Sequence, residues 1–103
     1  MLLAFTLSMP GVSSWDGCWS GEGRIYAKVR PVRKSQAAVE QANRALGSHG
    51  YSFGDGWYAR VSVEVVDAKK ARKLRKRSAG FCGYDWMIDS ILRRGSIEAP
   101  SGR

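Results

Sequence analysis

The ten residues Trp57–Val66 constrain the fold more than any other stretch of the chain. Trp57, Ala59, Val61, Val63 and Val65 alternate with Tyr58, Arg60, Ser62 and Glu64. A period of two, apolar on one side and polar on the other, describes a strand with one buried face. Such a strand needs partner strands and a covering layer to bury its apolar side. Partners are present. Leu3, Phe5, Leu7 and Met9 alternate within residues 2–9. In residues 24–30, Ile25, Ala27 and Val29 share one face, and Arg24, Tyr26, Lys28 and Arg30 share the other. Residues 51–57 read as a hairpin turning around Gly54-Asp55-Gly56.

The covering layer comes from helical segments. Ser35 is placed to cap a helix running to Leu46, whose Ala38, Val39, Ala42, Ala45 and Leu46 fall within an arc of about 120°. Gly47 supplies its stop, and His49 reads as a turn residue. A last helix spans residues 84–94, with Tyr84, Met87, Ile88, Ile91 and Leu92 on its apolar side. Asp85 lies at its positive end, Arg93 and Arg94 at its negative end, and Gly95 terminates it. The order is β-β-α-β-β-α-α. It predicts one α+β domain over residues 1–95, with a four-stranded sheet, two to three helices packed on one face, and a flexible tail over 96–103. The connection through 34–46 is long enough for a crossover, which allows one parallel strand pair.

Between the alternating strand and the last helix lies a different kind of segment. Residues 67–77 hold seven of the seventeen Lys and Arg and one acid. Their net charge is +6, which leaves +2 of the total +8 for the remaining 92 residues. A hydrophobic content of 44% with eleven aromatics excludes a disordered basic tail. Asp67 is placed to cap a helix, and Ala68, Ala71 and Leu74 make a thin apolar stripe along it. Lys69, Lys70, Arg72, Lys73, Lys76 and Arg77 cover the broad remaining face, a surface for phosphate or for an acidic partner. Arg75 falls inside the apolar arc and has to snorkel or find a carboxylate. Lys28, Arg30, Arg33 and Lys34 extend the patch if the second strand lies on the same side.

The loop over residues 10–23 holds Trp15 and Trp19, which either stack on bases or anchor a protein interface, or else fold back under the loop. Trp86 lies off the apolar side of its helix and is either covered by that loop or exposed to a partner. Trp57 reads as core. Asp16, Glu22, Asp55, Asp85 and Asp89 could pair to hold magnesium, but Asp16 and Asp55 fit turns, Asp85 a helix-start charge and Asp89 a partner for Arg93 better. Cys18 and Cys82 read as reduced thiols, and one histidine without a cysteine cluster argues against structural zinc. No nucleophile motif is present, and no catalytic residue, cofactor or metal is expected. Residues 1–10 lack a basic start and a cleavage site, and no run approaches the ~20 apolar residues of a membrane span. The expected location is the cytoplasm, with no membrane partner.

Phe53-Gly-Asp-Gly-Trp57, Val66-Asp-Ala-Lys-Lys-Ala-Arg-Lys73 and Gly80-Phe-Cys-Gly-Tyr-Asp-Trp-Met87 resemble small phage and prophage proteins, as do Phe5-Thr-Leu-Ser-Met-Pro10 and Trp19-Ser-Gly-Glu-Gly23. The resemblance implies a mobile-element origin, and such proteins include anti-CRISPR and other anti-defence inhibitors. Many of those inhibitors are acidic mimics of nucleic acid, a pattern from which this basic chain departs. Three functions follow as expectations. The first is a non-enzymatic inhibitor that docks on a host nucleoprotein complex through the basic helix and exposed aromatics. The second is a nucleic-acid-binding module that contacts phosphates through the same helix. The third is a metal-dependent nuclease using Asp16, Glu22 or Asp55. The oligomeric state is left open.

Overall fold

The alternating segment is strand β4 (Trp57–Val66), and it sits inside a four-stranded sheet. The structure is a computed structural model that describes residues 1–9, 25–54, 56–78, 80–81 and 83–98, apart from the Trp57 side chain. The other elements are β1 (Leu2–Ser8), β2 (Tyr26–Pro31), α1 (Gln36–Ala45), β3 (Gly47–Gly54), α2 (Ala68–Arg77) and α3 (Asp85–Arg94). The chain is an α+β domain with the expected element order. The sheet order is β2-β1-β4-β3, and every pairing of the named strands is antiparallel. The parallel pair that residues 34–46 allowed does not form. β2 and β3 lie at opposite edges, so α1 spans the sheet instead of joining neighbours. Pro31 is tolerated in β2 because an edge strand need not donate every N–H.

The hairpin of β3 and β4 turns where expected, with Gly54 and Gly56 both at positive φ, a conformation that side chains disfavour. β3 is longer than its sequence suggests. His49, read above as a turn residue, is inside the strand opposite Val61, and its Nε2 donates to the Ala45 carbonyl at 2.7 Å. Gly47, Ser48 and Gly50 have weak strand propensity, and the well-patterned β4 templates them.

Strand parity builds two unequal cores. On the front of the sheet Leu3, Phe5, Leu7, Met9, Ala59, Val61 and Val63 pack under Ala42 and Ala45 of α1 and Met87, Ile88 and Ile91 of α3. On the back a small cluster of Ala4, Val66 and Ala71 is joined by Leu2, Val29 and Leu74. Of the two to three helices expected on one face, two are found there. α1 and α3 share the front, and α2 lies alone on the back, over β1 and β2. After α2 the chain runs along the free edge of β2, where Ile25 and Ser78 form a parallel bridge, and Phe81 enters the front core.

The chain stays packed beyond residue 95. Ile97 is buried in the front core. The Ser90 hydroxyl donates to the Ser96 carbonyl and accepts from the Glu98 N–H, each at 2.8 Å. The ordered domain thus reaches Glu98, beyond the predicted boundary at 95. Residues 99–103 lie outside the described residues.

Candidate functional site

α2 starts where the alternation of β4 ends. Asp67 is extended, and its carboxylate accepts the Lys70 N–H at 2.7 Å, capping the helix as expected. The seam that holds α2 to the sheet is narrower than the predicted stripe. Ala71 is fully buried and Leu74 half-buried, but Ala68 is exposed. Centring the contact between Ala71 and Leu74 turns Arg75 to the flank, where it is exposed. The misfit disappears with that rotation, because Arg75 never has to enter the seam. A methyl side chain at Ala71 lets the helix backbone lie close to Ala4 and Val29.

All seven cations of α2 are exposed: Lys69, Lys70, Arg72, Lys73, Arg75, Lys76 and Arg77. Among the described residues, the helix makes one ion pair, from Lys70 Nζ to Glu64 Oε1 of β4 at 3.0 Å. A shallow open concavity beside the first turn is lined by Asp67, Lys69, Lys70 and Lys73. A dense cationic surface with only Asp67 and Glu64 as neighbouring acids among the described residues attracts polyanions and repels other cations.

Lys28 and Arg30 do not join this patch. Their strand parity points them to the front, opposite to Ala27 and Val29. There Lys28 Nζ meets Asp85 Oδ2 at 2.8 Å, and Arg30 meets Asp89 Oδ1 at 3.5 Å. The two acids of α3 are thus partners of β2 cations, and the pairing of Asp89 with Arg93 is not what forms. Arg33 and Lys34 are exposed in the connection before α1.

Trp86 is half-buried, and its neighbour is a ring from the sheet. Tyr51 of β3 meets it edge-on with centroids 5.4 Å apart. Phe53 packs on Tyr51 at 5.0 Å and on Tyr84 at 5.7 Å. Sequence reading placed Tyr51 and Phe53 in a turn and so missed this cluster. Trp15, Trp19, Asp16, Glu22, Asp55, Cys18 and Cys82 lie outside the described residues, as does the Trp57 side chain. Among the described residues, no three His, Cys, Asp or Glu side chains are placed to hold a metal ion. No described helix is long and apolar enough to cross a membrane.

A second feature beside α2 went unread. The back of β4 and β3 carries Tyr58, Arg60, Ser62, Glu64, Ser48, Gly50 and Ser52, all exposed. The signal was present in the polar half of the β4 alternation. Read only as "outward", those residues were assigned no role. No family model, no curated protein and no solved structure matches the chain.

Proposed function

We propose that this chain is a non-enzymatic, cytoplasmic nucleic-acid-binding module that contacts phosphates through the exposed face of α2. One observation carries the reading: seven exposed cations on a ten-residue helix, with one ion pair among the described residues. Exposed like charges destabilise the compact state through mutual repulsion, and a polyanion relieves it. Phosphate contacts release condensed counterions, so affinity falls steeply with salt. Inhibition of a host nucleoprotein complex, the role implied by the phage resemblance, draws on the same surface and acts through the same charges.

The test is a titration of fluorescently labelled single-stranded and duplex DNA and RNA at several salt concentrations. The expected result is binding whose log affinity falls linearly with log salt, by roughly 0.9 per phosphate neutralised on duplex DNA and roughly 0.7 on single strands. No binding at about 50 mM salt, where such contacts are far stronger than at physiological salt, overturns the nucleic-acid reading and leaves the inhibitor reading, whose partner is a protein surface.

A further inference from the structure

α2 covers only half of the back of the sheet. It rests on β2 and β1, and of the adjoining half, formed by β4 and β3, residues 58–64 and 48–52 that face the back are exposed, while Val66 lies in the cluster under the helix. The open half carries polar side chains and Gly50, and Tyr58 is its one aromatic ring among the described residues. Tyr58 leans diagonally across the hairpin onto Gly50, which is paired with Arg60. A Cβ at Gly50 would sit 2.6 Å from the Tyr58 hydroxyl oxygen and 3.3 Å from Cζ, so a side chain there would force the ring to shift. The Arg60 guanidinium donates to the Tyr58 hydroxyl at 3.5 Å. The ring is held along the sheet and is still 36% exposed. The Lys70–Glu64 pair ties the helix to this same floor.

From this placement, and resting on the nucleic-acid reading above, we infer that the module prefers single strands and that Tyr58 is a stacking platform for one unpaired base. A strand whose phosphates follow α2 has its bases free to turn toward the open floor. β3 is two strand spacings from β1, about 10 Å. Every base has a π-face, so such a platform is tolerant of sequence. A duplex keeps its bases stacked inside and cannot use the ring. Arg60 adds a positive charge at the rim of the platform and leaves the floor without a net acidic barrier, since Glu64 is paired.

The competing role for Tyr58 is purely structural, as an apolar cover for Gly50 in the hairpin. The experiment separates the two. Fluorescence anisotropy compares a thymine-only single strand, an abasic strand of equal length and charge, and a duplex. The natural chain is expected to bind the thymine strand about 5- to 150-fold more tightly than the abasic strand. Tyr58→Leu keeps an apolar cover and removes the flat ring. It is expected to lose a similar factor on the thymine strand and nothing on the duplex, with Tyr58→Phe close to the natural chain. Equal affinity of the natural chain for thymine and abasic strands overturns the platform and leaves phosphate binding by α2 intact. Equal losses on strand and duplex in Tyr58→Leu overturn it too. Failure of the natural chain to bind any of the three removes both readings. The abasic comparison needs no variant, so it decides even if Tyr58→Leu does not fold.

Discussion

The two faces of the sheet treat the same side chains differently. On the front, Lys28 and Arg30 meet Asp85 and Asp89 of α3, above a core in which Phe5, Val61, Met87, Ile88 and Ile91 are fully buried. On the back, seven cations of α2 face solvent with one ion pair among the described residues, and the helix is held by Ala71 and Leu74. Stability is concentrated on one side and unsatisfied charge on the other. Two layers this unequal can separate the work of folding from the work of docking, because changes on the back disturb little packing. Net charge alone conceals this division, since both sets of cations enter the +8 equally.

The contrast can be broken most severely by reversing charge on the back. Lys69→Glu, Lys73→Glu and Lys76→Glu together should abolish nucleic-acid binding and leave the thermal midpoint within a few degrees, since all three side chains are exposed. Binding titrations beside a circular-dichroism melt check this. Unchanged affinity would reduce the patch to a device for solubility.

Next in size is truncation of the front core. Ile88→Ala should cost about 2–5 kcal/mol, because a fully buried side chain leaves a cavity. Leu74→Ala on the back should cost less, about 1–2 kcal/mol, because Leu74 is only half-buried. Urea denaturation of the two variants measures the difference directly. If Leu74→Ala proves the more damaging, the back layer holds the fold and the division of labour fails.

The smallest effect sharpens the comparison. Lys28→Met removes one partly exposed ion pair and should cost no more than about 1 kcal/mol. Nucleic-acid affinity should not change, because Lys28 points away from α2. A tenfold loss of binding would show that the front face contributes to docking.

Much of the local structure was legible in the residues. The alternation in β1 and β4, the caps at Ser35 and Asp67, the stop at Gly95 and the turn at Gly54 and Gly56 all act within a few residues. β3 was only partly legible, because its glycines carry little strand signal and its pairing is imposed by β4. Ile97 was assigned to a loose tail, since a single apolar residue has no period. The backbone on either side of it is held by the Ser90 hydroxyl. For the candidate site, the cationic helix was legible as a unit and its surroundings were not. Tyr58 and Arg60 share the back of the sheet with it only because β4 lies next to β1.

By itself the sequence determined that β1, β2 and β4 are strands, where the helices lie, which residues of each of those strands share a face, and that residues 67–77 form a capped cationic helix. Backbone geometry and local charge decide those matters, and both act at short range. Tertiary structure alone decided which face each helix covers. Parity says that Lys28 and Ala27 point in opposite directions, but it cannot say which direction meets α2. That was settled by how the chain rounds the edge of β2 after Arg77 and by the larger apolar area that α1 and α3 bury against the front. The same choice left Lys28 and Arg30 beside carboxylates and left the cations of α2 on the same side of the sheet as the exposed backs of β4 and β3.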